Sequence, residues 1–348
     1  MTSSPDSDVI LVTGGTGFIG SHIVVELIEH GYFPVILDNL SNSPRSVVGL
    51  IEQLTGSRPP FIQADVRDTE AVRHVLQRHK PYAVVHCAGR KSVPESVAHP
   101  ERYLGVNVGG SLSLLEEWLD SPSPCFVFSS SCTVYGAPRT LPVDESSDAQ
   151  PQSPYGWSKL IVDQMMAVLA STHTNRSFVS LRYFNPVGAH SSGLIGDKPT
   201  GQATSLMPLI MEVAARQRPH LEIFGADYPT PDGTAIRDYV HVVDIAKAHV
   251  AAIKRLSSAF GAHVLNLGRG RGLSVLEMCN AFESSTGVSV PRVVSPRRLG
   301  DAPEIWCDTQ QALDRLGWTA SRTLDEMCTD GWRFFQMSTD EPLGPASL

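Results

Sequence analysis

The chain has 348 residues, 42% hydrophobic and 18% charged, with a formal net charge of −8. Those values describe a globular protein with room for two units, or for one unit with a large appendage, and exclude bulk disorder. An acidic chain without a long basic run is a poor partner for nucleic acid or an anionic membrane, so any anionic ligand must be held by local groups.

Residues 1–8 are polar and lack an apolar run, and are expected to form a disordered lead-in. With neither a signal peptide nor a membrane span, a cytoplasmic location is expected. Val9 to Thr13 reads as a strand, Gly14-Gly15-Thr16-Gly17-Phe18-Ile19-Gly20 as a glycine turn, and Ser21 to His30 as a helix stopped by Gly31. Gly14, Gly17 and Gly20 have the spacing that lets a pyrophosphate approach backbone N–H groups at a helix start. The next strand, Val35 to Asp38, ends on an acid where ribose hydroxyls would be bound. A carboxylate there repels a 2′-phosphate, so NAD is expected over NADP.

Phe61 to Asp65, Tyr82 to Gly89 and Cys125 to Phe128 read as further strands, with helices over Thr69 to His79 and Glu101 to Leu119. This alternation predicts an α/β fold with a doubly wound parallel (Rossmann) sheet, whose carboxyl-end rim carries Asp65, Ala88-Gly89 and Ser129-Ser130-Ser131. Ser153 and Pro154 suit the start of a helix, on which Tyr155 and Lys159, four apart, share a face. An ammonium beside a phenol favours phenolate, so the pair reads as a tuned acid/base. A serine hydroxyl at the rim, Ser131, can bind or relay the same proton.

Near Asn185 the texture turns rich in Gly, Pro and Ser. Residues 1–185 are expected to form the cofactor domain with the reacting groups, and residues 186–348 a smaller mixed α/β domain partly interleaved with it. In the latter, helices are expected at Ser205 to Arg216 and His241 to Leu256, strands at Leu221 to Phe224 and Val264 to Leu267, and capping boxes at Ser274/Glu277 and Thr323/Glu326. The six cysteines are scattered and read as reduced core residues, without a metal site.

The run from Thr13 to Gly20, the Ser131, Tyr155, Lys159 set and Leu181-Arg182-Tyr183-Phe184-Asn185-Pro186-Val187-Gly188-Ala189-His190 resemble the extended short-chain dehydrogenase/reductase superfamily. More closely they resemble its UDP-glucose 4-epimerase family. The likeness continues through Ile223-Phe224-Gly225, Arg237-Asp238-Tyr239 and His241-Val242 and covers nearly the whole chain. It implies that Tyr155 takes the proton from the sugar 4-hydroxyl, that Ser131 orients or relays it, and that Lys159 holds the nicotinamide ribose of a tightly bound NAD. It further assigns Phe18, Ile19, Asp38, Asn39, Leu40, Ser41, Asn42, Ser43, Asp65, Val66, Cys87, Ala88, Gly89, Arg90, Lys91, Asn107 and Phe184 to the cofactor. A UDP-sugar falls to Asn185, Ser205, Leu206, Glu222, Ile223, Phe224, Arg237, Arg298 and Asp301, with the two arginines suited to its diphosphate. A homodimer is implied, through a four-helix bundle of Glu101 to Leu119 and Tyr155 to Ser171.

Related dehydratases carry an Asp-Glu pair directly after the serine or threonine, where this chain has Cys132 and Thr133, which disfavours elimination. Other departures are Thr204-Ser205 and Val106-Asn107 in place of Asn-Asn pairs, Arg90 for a leucine, and Leu299 for a glutamate. The family's gatekeeper beside the hexose aligns with Ile305, intermediate in size, which implies UDP-glucose and UDP-galactose as the main pair and leaves room for N-acetylated sugars. UDP-pentoses or UDP-uronates are the alternative substrates, and a catalytically silent NAD-binding regulator is the alternative of another class.

Overall fold

The structure, a computed structural model, describes residues 9–198, 201, 203–298 and 301–338. The lead-in 1–8 and the Leu299 departure lie outside the described residues. The first part of the chain alternates strand and helix: β1 (Val9–Thr13), α1 (Phe18–Glu29), β2 (Phe33–Asp38), α2 (Val47–Thr55), β3 (Phe61–Gln63), α3 (Thr69–His79) and β4 (Ala83–His86). Then come α4 (Val93–Ala98), α5 (Pro100–Tyr103), a π-helical turn (Leu104–Gly109), α6 (Gly110–Leu119), β5 (Cys125–Ser131), a 3₁₀ turn (Cys132–Tyr135), α7 (Pro154–Thr172) and β6 (Ser177–Tyr183). The remainder comprises β7 (Asn185–Val187), α8 (Leu206–Ala214), β8 (Leu221–Phe224), β9 (Ile236–Arg237), β10 (Tyr239–His241), α9 (Val242–Leu256) and β11 (Gly261–Leu267). It closes with β12 (Leu273–Ser274), α10 (Val275–Thr286), β13 (Arg292–Ser295), β14 (Glu304–Ile305), α11 (Gln310–Leu316) and α12 (Leu324–Ser338).

The large sheet has seven strands in the order β11-β6-β5-β4-β1-β2-β3, all parallel. Its strands read as apolar runs because helices cover both faces: along β1, Ile10 and Val12 enter one helical layer and Val9 and Leu11 the other. α1, α2, α9 and α11 build the first layer and α3, α6 and α7 the second. The chain order reverses between β1 and β4, and the crevice at their carboxyl ends is where such sheets take ligands. The outermost strand beside β6 comes from Gly261–Leu267, so the chain returns to this sheet long after Asn185. A separate core joins α8, β8, α10 and α12 through Met211, Ile223, Phe282 and Trp332.

Two expected helices differ in detail. The segment expected as one helix over Glu101 to Leu119 is α5, the π-helical turn and α6. Glycines at 105, 109 and 110 weaken the α-form, and within the turn Asn107 aims its amide at Arg90, accepting from its N–H at 2.7 Å and donating to its carbonyl at 3.0 Å. His241 ends β10 instead of starting the helix, and its Nδ1 caps α9 by accepting from the Val243 N–H at 3.1 Å. Both expected capping boxes are present, with reciprocal bonds between Ser274 and Glu277 and between Thr323 and Glu326.

Candidate functional site

A cleft of about 1550 Å³ runs along the carboxyl rim of the large sheet and into the second core. Its floor is the glycine turn. Gly14 has φ +70°, and a Cβ there would come within 2.6 Å of the Ala88 backbone nitrogen. A Cβ on Gly20 would fall on the Gly14 carbonyl. The turn is thus pressed against the exit of β4 and the first turn of α1, which leaves backbone N–H groups facing the cleft. Asp38, 5% exposed, is fixed at the end of β2: its Oδ2 accepts from the Thr16 N–H at 3.1 Å and its Oδ1 from the Leu40 N–H at 2.8 Å. Asp65 is gripped by Arg67 and by Asn39, and the Arg67 guanidinium holds it well below the usual carboxylate range.

The Ser131, Tyr155 and Lys159 set is assembled from β5 and α7. Ser153 caps α7 by accepting from the Gly156 N–H at 3.1 Å, and Pro154 occupies the first turn, where its missing N–H leaves no gap. Tyr155 thereby enters the cleft at the start of the helix, beside Ser131, the last residue of β5, whose hydroxyl favours the phenolate. Ser131 Oγ also accepts from Thr133 Oγ1 at 3.0 Å, so the two residues standing where a dehydratase would have acids serve the serine or pack behind it. Lys159 donates to the Ser129 carbonyl at 2.7 Å, with its ammonium 4.7 Å from the Phe128 ring centre and 5.9 Å from that of Tyr155.

The depression of Tyr155 expected from its lysine is not what the protein's own groups produce. Burial pushes the phenol up to about 12, against the pull of the Ser131 hydroxyl. Burial also brings Lys159 down to about 8. The lysine makes its closest contact with a strand carbonyl instead of the phenol, and desolvation of both groups outweighs their mutual effect.

Nearly all the residues expected at the cofactor and sugar positions line this one cleft, from Gly14, Gly17, Phe18, Ile19 and Gly20 to Ser205, Arg237, Arg298 and Asp301. Arg237 lies 3.8 Å from Asp301, and Arg298 stacks on the Phe224 ring at 3.8 Å. Ser205 precedes α8 with no side-chain bond to that helix, so its hydroxyl is left to the cleft. Leu40, Asn107 and Ile305 do not line it. Asn107 spends its amide on the Arg90 peptide and on Ser158 Oγ, the neighbour of Lys159. Ile305, 6% exposed, packs in one apolar cluster with Cys132, Val134, Tyr135 and Phe184, on β14 at the edge of a three-stranded sheet where it pairs with β9. Arg90 finds its partner in Glu95 at 2.9 Å, and Glu95 in turn accepts from Tyr103, whose ring meets Tyr155 edge to face.

Comparison with known proteins decides among the uses of such a cleft. A model of the NAD dependent epimerase/dehydratase family matches residues 10–268. The chain belongs to the NAD-dependent epimerase/dehydratase family. Within it, the chain is 48% identical to the UDP-glucose 4-epimerase of Neisseria meningitidis serogroup C, over 93% of this chain and 96% of that one. The mouse UDP-glucose 4-epimerase is 45% identical at the same coverages. A UDP-glucose 4-epimerase from Stenotrophomonas maltophila, solved with bound NAD and formylated UDP-arabinopyranose, superposes with a TM-score of 0.93 at 47% identity, covering 94% of this chain and 98% of that one. The Bifidobacterium longum enzyme, solved with NAD+ and UDP, gives 0.91 at 40% identity, covering 95% and 98%.

The residues present fit the family's NAD. The glycine turn leaves a backbone cradle that a Cβ at Gly14 or Gly20 would close, and Asp38 is held where a ribose diol can bind while a 2′-phosphate would be repelled.

Sequence reasoning missed some partners of the site residues. Asp197 accepts from the expected Lys91 across the cleft at 2.8 Å. On α7, Asp163 follows Lys159 by one turn and pairs with Arg182 of β6, both nearly enclosed. Charged residues inside otherwise apolar elements are the signal that could have revealed this second pair.

Proposed function

We propose that this protein is a UDP-hexose 4-epimerase, interconverting UDP-glucose and UDP-galactose with resident NAD. The observation that carries the reading is the meeting of Ser131, Tyr155 and Lys159 in one cleft with Arg237 and Arg298, and with no carboxylic acid on the two residues after Ser131. Bound NAD supplies a hydride acceptor and, in the return step, a hydride donor. Arg237 and Arg298 take the diphosphate, since guanidinium forks match its oxygens. Tyr155 removes the proton of the sugar 4-hydroxyl as hydride leaves carbon 4, and gives it back after the keto sugar has presented its other face. Ser131 stays on the sugar oxygen throughout and passes the proton. Cys132 and Thr133 offer no acid to expel water from a neighbouring carbon, so the sugar leaves with its composition unchanged.

The test is to add UDP-galactose to purified protein without external reductant and to follow UDP-glucose by anion-exchange chromatography. Interconversion toward an equilibrium mixture is expected. If nothing forms, or if UDP-N-acetylglucosamine, UDP-xylose or UDP-glucuronate turns over much faster, the substrate assignment falls. With Ile305 outside the cleft lining, the room beside the hexose depends on how it seats Cys132 and Phe184.

A homodimer accords with an apolar surface on α4, the π-helical turn, α6 and α7. Val97 is 64% exposed, Val168 67% and Trp157 49%, and Leu104 and Leu112 are exposed on the neighbouring turn and helix. Val162 and Met166 turn inward to the sheet, which leaves the outer face of α7 for a second copy. Val168→Glu is therefore expected to give a folded monomer by light scattering at micromolar concentration; a parent protein already monomeric there would count against the dimer. A reducing, cytoplasmic setting accords with six unpaired cysteines, five of them buried.

A further inference from the structure

Lys159 assists Tyr155 only while it keeps its proton, and burial works against that. The side chain is 6% exposed, and desolvation lowers its pKa to about 8. Its hydrogen-bond acceptor, the Ser129 carbonyl, carries no charge. The ionisable groups facing it come from three elements. β4 and its exit bring His86 and Cys87, which burial holds neutral, the imidazole down at about 3 and the thiol up at about 11. β6 brings Tyr183, whose buried phenol is also held neutral, and Arg182, whose guanidinium is turned to Asp163 and Tyr135. α7 itself brings Tyr155 and Asp163.

Asp163 is built in with care for its charge. It is 5% exposed, one helical turn beyond Lys159, and its Oδ2 accepts from Arg182 Nε at 2.9 Å and from Ser130 Oγ at 3.0 Å. These bonds tie the catalytic helix to the ends of β5 and β6. Burial raises the carboxyl overall, with the guanidinium pulling against it, and the carboxylate raises Arg182 against its own desolvation; the 2.9 Å contact makes the two an ion pair. The other oxygen, Oδ1, is buried with no hydrogen-bond partner among the described residues. An enclosed carboxylate oxygen without a donor is costly, and a nearby ammonium offsets that cost.

We propose that Asp163 is a positioning residue for the acid/base pair: locked by Arg182 and Ser130, it supplies the negative charge that keeps Lys159 an ammonium beside Tyr155. Its catalytic consequence rests on the epimerase reading; its effect on Lys159 does not. The sign follows from charge and helical spacing: Cys87 and Asp163 both raise Lys159 against desolvation, but the Cys87 thiol is held neutral, so the carboxylate one turn along α7 is the standing charge, and its neutralisation lowers the lysine further and discharges it in the neutral range.

The experiment reads Lys159 directly. The full-length protein is pulsed with acetic anhydride across a pH series, and acetylation of the Lys159 peptide is followed by mass spectrometry, beside the pH profile of kcat/KM for UDP-galactose. Asp163→Asn is expected to move the labelling midpoint down by about one unit, a ten-fold change in the proton equilibrium. The alkaline limb of the rate profile should move with it, and KM should stay close to the parent value. Ser130→Ala, which keeps the carboxylate, should leave the midpoint in place. A midpoint unchanged in Asp163→Asn overturns the proposal, as does an equal shift in Ser130→Ala, which would signal loosened packing instead of lost charge. Should Asp163→Asn fail to fold with Arg182 stranded, the double variant Asp163→Leu/Arg182→Met removes both charges, a replacement buried ion pairs often tolerate. It is expected to show the same downward shift, and an unmoved midpoint there refutes the assignment. If the midpoint moves but the parent never interconverts the sugars, the epimerase reading fails while the role of Asp163 stands; a fixed midpoint in an active parent gives the converse.

Discussion

Tyr155→Phe is expected to lower UDP-galactose turnover by about 10²- to 10⁴-fold, the usual worth of a positioned acid/base, with NAD still bound after purification. The substitution removes one oxygen from a ring held by the Tyr103 edge and by the capped start of α7, so neither the cleft nor the glycine turn should shift. The readout is therefore a fall in kcat with an unchanged stoichiometry of bound nucleotide. Unchanged turnover would remove the phenol from the mechanism. In the parent, burial sets Tyr155 high and Lys159 near 8, so the rate should climb with pH through the neutral range as phenolate becomes accessible. It should fall once the lysine discharges.

Gly20→Ala is expected to yield protein without bound NAD and with a melting temperature several degrees lower. Its Cβ would meet the Gly14 carbonyl, a backbone atom that cannot turn aside as a side chain could, and overpacking of this kind costs about 1–3 kcal/mol. At this chain length each 1 kcal/mol corresponds to about 2–4 °C or somewhat less. Any yielding of the turn also moves the N–H groups that must face the pyrophosphate. Gly49→Ala, in the first turn of α2 with open space around its Cβ position, is the matched control and should be neutral or stabilising by about 0.5–1 kcal/mol. Retention of NAD by Gly20→Ala at the parent level would show that the turn does not cradle the cofactor.

Much of this was legible in the chain. Parallel strands covered on both faces must be apolar runs, so β1, β2, β4 and β5 announce themselves, and Ser153-Pro154 marks the start of α7 through chemistry local to two residues. What stayed hidden depends on partners remote in sequence. The π-helical turn forms because Asn107 is drawn to a peptide at Arg90, and the pairing of β14 with β9 sets Ile305 in an apolar cluster with Cys132 and Phe184. The sign of the Tyr155 perturbation was misjudged for the same reason. Helical spacing brings the lysine near, but only the packed site shows that both groups have lost their water.

The seventh strand of the cofactor sheet also bears on how the protein is made. During synthesis, β6 emerges with a bare outer edge and stays so until Gly261–Leu267 has left the ribosome, and α9, which covers one face of that sheet, arrives barely earlier. A fragment ending at Asn185 would carry Ser131, Tyr155 and Lys159 in a sheet whose edge strand, β6, is unguarded, the kind of surface that pairs with other chains and aggregates. Exchange of sugar-binding halves between homologues would therefore need a cut that carries β10, α9 and β11 along with the first half, because a junction at the change in texture would split a single sheet between two donors.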